Sequence, residues 1–152
     1  QSEIKLYYDI IIDLSVTDET YFAAQSVSDK YLDISITEEI PIIFSESIAG
    51  SANQPYDNRT GIFTAPVTGL YWFTASLTAD VKSYLQCYIV RNFQDLLVEL
   101  YTEEAGENSS VSASVVIDLA AGDTVEVFKC RGFATLNTYK SSFSGFLVNK
   151  LA

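Results

Sequence analysis

Residues 56–73 read Tyr56-Asp57-Asn58-Arg59-Thr60-Gly61-Ile62-Phe63-Thr64-Ala65-Pro66-Val67-Thr68-Gly69-Leu70-Tyr71-Trp72-Phe73. Asp57 to Gly61 carry the chemistry of a tight turn, whose glycine is free to take a positive φ. Pro66 and Gly69 flank a second connection, since neither sits comfortably inside a hydrogen-bonded ladder. Strands are therefore expected at 61–66 and 69–78. Leu70, Tyr71, Trp72 and Phe73 place large apolar groups on both faces of the second strand, and Phe143-Ser144-Gly145-Phe146-Leu147-Val148 does much the same. An antiparallel sheet with one wet face gives alternation instead, so such strands need a second cover. That cover is either the N-terminal segment or another copy of the chain. Three copies about a closed axis would bury the face completely. Tyr71, Trp72, Phe73, Phe143 and Phe146 are thus assigned to the core or to a trimer seam.

Working outward, the dominant hydrophobic period is two. Ile4, Leu6, Tyr8, Ile10, Ile12, Leu14 and Val16 alternate without a break. A heptad of Ile4, Tyr7, Ile11 and Leu14 would suit a short stem, but the adjacent β-branched residues favour a strand. Further strands are expected near 20–27, 31–36, 41–45, 84–91, 96–102, 111–119, 123–130 and 142–149, separated by turn residues such as Ala49-Gly50-Ser51 and Ala121-Gly122-Asp123. No helical stretch stands out. The fold class is all-β: a two-sheet antiparallel jelly-roll sandwich of about ten strands. Residues 1–19 form an N-terminal extension, strand or short stem, and 20–152 one globular domain.

The 152 residues are 48% hydrophobic and 19% charged, which rules out a disordered or fibrous chain. There is no histidine, which removes Ser-His-Asp and Cys-His catalysis and His-ligated metals. The acidic residues show no spacing that predicts a catalytic pair and no nucleophile elbow appears, so enzymatic activity is not expected. The net charge of −11 repels phosphate backbones and anionic lipid, arguing against nucleic-acid partners and membrane insertion. It suits cationic partners or calcium, and equally a surface that simply stays soluble. The opening Gln1-Ser2-Glu3 is compatible with a mature secreted chain. Asn58-Arg59-Thr60 and Asn108-Ser109-Ser110 are N-glycosylation sequons in turn-like stretches, so Asn58 and Asn108 mark a candidate glycoprotein.

Cys87 and Cys130 are the two cysteines. Cys87 shares parity with inward Leu85 and Ile89, whereas Cys130 shares parity with Glu126 and Phe128, opposite to Val125 and Val127. A bridge within one sheet needs both on the same face, and a bulge near Lys129 would supply that. A disulfide and two inert core thiols both remain open on these grounds.

Several blocks resemble the globular C1q domain of the C1q/TNF-like jelly rolls over about residues 20–150. Tyr21-Phe22-Ala23-Ala24 is similar to the family's opening block, and Pro41-Ile42-Ile43-Phe44 to its next segment. Tyr56 to Phe73 follows the signature Y-D-x-x-T-G-x-F-T-A-P-V-x-G-x-Y-x-F. Ser114 to Leu119 with Gly122-Asp123-Thr124-Val125 resembles a later strand pair, and Ser142-Phe143-Ser144-Gly145-Phe146-Leu147 the closing F-S-G-F-L. The sequence carries no collagen-like Gly-X-Y run, so the resemblance is to stalkless secreted members.

The resemblance implies a secreted, extracellular, non-enzymatic homotrimer. Its expected work is lectin-like recognition of carbohydrate or microbial surfaces in innate immunity; the alternative is a matrix or receptor-bridging protein that organises calcium. The family also implies a calcium site in the loop before the Ser114 strand. Here Glu103, Glu104 and Glu107 would supply the hard oxygen ligands. No other cofactor is implied.

Overall fold

The computed structural model describes residues 19–27, 30–32, 40–103, 108–137 and 140–151. The strand expected at 4–16 and most of that expected at 31–36 lie outside them. Among the described residues ten strands run in order: β1 Tyr21–Val27, β2 Lys30–Leu32, β3 Phe44–Gly50, β4 Tyr56–Asp57, β5 Ile62–Thr64, β6 Gly69–Arg91, β7 Asp95–Glu103, β8 Asn108–Leu119, β9 Thr124–Leu136 and β10 Ser142–Lys150.

The two strands expected at 69–78 and 84–91 are one strand, β6. Its first half, Gly69 to Asp80, lies between β10 and β8. Its second half, Ala79 to Arg91, lies between β9 and β7. One layer is thus β3-β1-β10-β6-β8 and the other β4-β5-β9-β6-β7, every pairing antiparallel. The polar stretch Asp80-Val81-Lys82-Ser83 resembles a turn in sequence because it is where β6 crosses over. There the pairing with β9 jumps from Val81↔Ala134 to Leu85↔Gly132, so β6 carries extra residues that bulge out and turn the strand.

Other boundaries moved for local reasons. The strand expected at 41–45 starts only at Phe44, where the Tyr56 hydroxyl donates to the Phe44 carbonyl (2.9 Å) and accepts its N–H (3.1 Å). Pro41 has no N–H to give a ladder, and Ile42 instead donates to the Val127 carbonyl at 2.9 Å. The expected strand at 61–66 shortens to β5, since Ala65 and Gly122 bond across the adjoining connection. β9 extends to Leu136 beyond its bulge.

Between the layers lies an aromatic core. Phe22 stacks on Tyr56 at 4.8 Å and meets Phe143 edge-on at 4.9 Å, while Phe63 meets Phe73 edge-on at 4.9 Å. Such edge and offset contacts suit the ring quadrupoles and add to the burial of apolar area. Gly145 faces the Phe73 ring; a Cβ there would sit 2.5 Å from it, so glycine is what lets β10 approach. The Tyr71 hydroxyl, buried in this core, donates to the Val67 carbonyl at 2.6 Å.

Candidate recognition surface

β6 divides its aromatic run by parity. Tyr71 and Phe73 point inward and are fully buried, as is Phe143 on β10. Trp72 and Phe146 point outward, 5.3 Å apart. The sequence assignment of all five to core or seam therefore resolves into three core residues and two on the outer face of the first layer. That face is not dry within one chain: Phe146 is 43% exposed.

Register extends this pair into a row. Tyr21 on β1 lies opposite Phe146, Phe146 opposite Trp72, and Trp72 opposite Val116 on β8. Tyr21 and Val116 are 42% and 57% exposed. The next rungs are small and uncharged. Ala23, Ser144, Thr74 and Ser114 line up, followed by Gln25, Ser142, Ser76 and Ser112. Their hydroxyls pair with one another: Ser114 donates to Thr74 at 3.0 Å, and Ser76 bonds Ser112. A chain of net charge −11 thus presents, across β1, β10, β6 and β8, a sheet face with an aromatic end, a hydroxyl end and no charged residue on those three rungs, the first charge being Glu46 opposite Gln25 on edge strand β3.

Glu103 ends β7, exposed, and accepts from the Tyr101 hydroxyl at 3.0 Å. Glu104 and Glu107 lie outside the described residues, among which no cluster of metal-binding side chains occurs. Asn58 is exposed in the turn after β4 and donates to the Ser45 carbonyl at 3.2 Å. Asn108 is exposed at the start of β8. Ser109, next to Asn108, donates to the Glu103 carbonyl at 3.4 Å.

Cys87 and Cys130 are joined in a disulfide between β6 and β9. Lys129 adopts a φ of 57° and the register slips between Gln86 and Tyr88, so the bulge turns Cys130 inward beside Cys87. Both are buried.

Glu126 was not singled out by sequence, because a lone glutamate in a strand ordinarily faces water. It is fully buried. Its Oε1 accepts the Phe93 N–H at 2.7 Å, closing a hairpin in which Asn92 and Phe93 take φ values of 53° and 61°. A bulky residue rarely adopts such a φ, and the carboxylate compensates by capping it. Burial, the largest influence, pushes the Glu126 carboxyl up to about 7, against the Phe93 N–H and Thr124. Its proton is thus held more tightly folded than unfolded. This contribution to stability is complete below the ordinary carboxyl range and lost as pH rises through about 7. Glu126→Gln should therefore raise the melting temperature more at pH 8 than at pH 5. Equal shifts at both pH values in paired calorimetry scans would contradict this.

Comparison with known proteins places this architecture. The sequence pattern of the C1q domain matches residues 22–148. The chain belongs to the C1q domain family. Its relatives are non-enzymatic recognition or signalling proteins. This C1q domain is 33% identical to complement C1q tumor necrosis factor-related protein 3 of Mus musculus over 110 residues, 70% of this chain and 44% of that protein. It is 31% identical to the collagen alpha-1(X) chain of Mus musculus over 113 residues, 71% of this chain and 16% of that one. The chain therefore spans less than half the length of these relatives. Among solved structures it resembles the globular domain of zebrafish complement 1qA protein, with a TM-score of 0.71 and 19% identity over 88% of this chain and 100% of that one. It also resembles murine APRIL at pH 5.0, with a TM-score of 0.67 and 14% identity over 86% and 100%. These structural likenesses establish a C1q/TNF-type jelly roll. Among the described residues no helix is long and apolar enough to cross a membrane.

Proposed function

We propose that this C1q domain is a secreted homotrimeric recognition module that binds carbohydrate on cell or microbial surfaces. The observation that carries the assembly is the uncharged middle of the first layer's outer face, bounded by Glu46 opposite Gln25 and by Asp118 opposite Leu70. Tyr21, Phe146, Trp72 and Val116 form a contiguous apolar row, unlike the singly scattered exposed side chains of an ordinary monomer surface. In a strongly acidic chain, an uncharged face is where copies approach with least repulsion. Closed threefold packing buries it on every copy and leaves none free. The sequons at Asn58 and Asn108 support a secretory route, and the family supports recognition over catalysis.

Light scattering should return three chain masses. Trp72→Glu, which puts a carboxylate in the row, should return one chain mass with the fold retained. A native single-chain mass at micromolar concentration would refute the assembly. Glycan-array screening tests the ligand class, and binding to no saccharide would refute it. The same mass measurement in calcium and in EDTA addresses the matrix role, which requires calcium to alter the assembly.

A further inference from the structure

The outer face of the second layer has a different chemistry. We propose that the surface around Tyr84, Tyr88 and Tyr101 is where this chain binds saccharide, and that it selects neutral sugars. This rests on the carbohydrate reading above and adds the location and the sugar class.

Alternation along β6 sends Leu85, Cys87 and Ile89 fully inward, which leaves Tyr84, Gln86 and Tyr88 pointing out. Pairing with β7 sets Tyr84 opposite Glu103, Gln86 opposite Tyr101 and Tyr88 opposite Glu99. On the other side Gln86 faces Arg131 of β9. The Tyr84 and Tyr101 rings lie 6.2 Å apart at 27°, giving a continuous aromatic surface.

Polar groups around those rings are held in place. Glu99 Oε2 accepts both the Gln86 Nε2 donor (3.1 Å) and the Tyr88 hydroxyl (3.2 Å), while Tyr101 donates to Glu103 Oε1. The second oxygen of each carboxylate has no partner among the described residues. Arg131, exposed, makes no ion pair there either. Aromatic faces receive the C–H side of a pyranose, and fixed planar carboxylate, amide and guanidinium groups receive its hydroxyls.

Charge decides the class. Glu99 and Glu103 are balanced locally by Arg131 and by Lys129, whose ammonium lies 4.9 Å from the ring of Phe128, the β9 partner of Tyr88; the net charge of −11 on the chain repels sulfated and sialylated glycans and admits neutral hexoses and hexosamines. In the proposed trimer this face stays open, because the seam uses the opposite layer.

The test combines a glycan array on the full chain with tyrosine nitration read by mass spectrometry. Bound neutral saccharide should protect Tyr84, Tyr88 and Tyr101 from nitration and leave the reactivity of Tyr21, which the seam on the other layer shields with or without saccharide, unchanged. Tyr84→Ser with Tyr101→Ser should weaken binding by about tenfold or more, as for truncated aromatic anchors generally. The nitration pattern is read on the native protein, so it stands even if that variant folds poorly. Neutral-sugar binding without protection of these tyrosines overturns the location while the carbohydrate reading survives. Binding confined to sulfated or sialylated glycans overturns the class. Binding to no saccharide overturns both the reading and this site.

Discussion

Replacing Cys87 and Cys130 together by alanine is expected to destabilise the domain by about 4 kcal/mol, a lowering of the melting temperature of roughly 10 °C. The bridge closes a loop across a sequence separation of 43 residues. Chain entropy makes such a loop costly to leave open in the unfolded state, and the loss of two buried sulfurs adds to the effect. The bridge also joins β6 to β9, the two longest strands, at the centre of the second layer. Calorimetry of the variant against the oxidised protein measures the difference, and intact-mass analysis counts free thiols. A variant melting within a degree or two of the native protein, or two free thiols in the native chain, would overturn the expectation.

Gly132→Ala is expected to cost about 3 kcal/mol or more, among the largest effects of any single substitution here. Gly132 has a φ of 138°, a conformation that L residues rarely adopt. An added Cβ would collide with the Tyr84 carbonyl oxygen and lie 2.9 Å from its carbon and 3.0 Å from Leu85 Cα. All three are backbone atoms of the β6 bulge, in a central strand held by pairing on both sides, so they cannot yield alone. Gly122→Ala is the control. Its φ is 93°, but nothing lies within 4 Å of the added Cβ, so it should show only the conformational cost of about 1 kcal/mol. Urea denaturation of both variants separates the two effects. Equal losses would mean that the collision contributes nothing.

Gly132 and Gly122 also show why sequence signals differ in reach. Gly122 sits in Ala121-Gly122-Asp123, where the turn chemistry is written in adjacent residues, as it is in Asp57 to Gly61. Gly132 lies in Cys130-Arg131-Gly132-Phe133, and its reason for being glycine is a carbonyl on another strand. The same distinction governs the disulfide. Parity alone set Cys87 and Cys130 on opposite faces, and the positive φ at Lys129 reversed one of them. For Glu126, its polar character pointed to solvent, while the Phe93 hairpin folding over it made a buried cap.

By itself the sequence determined the all-β class, the turns at Asp57 to Gly61 and Gly122-Asp123, most strand positions, the family and the absence of histidine chemistry. These rest on neighbours within a few residues, where alternation and backbone preference act directly. Tertiary structure alone decided that β6 is one strand serving both layers, and that Tyr71 is core while Trp72 is surface. It also aligned Tyr21, Phe146, Trp72 and Val116 in one row and set Tyr84 beside Tyr101. Such assignments depend on strand register, and one bulged residue moves every later side chain to the opposite face.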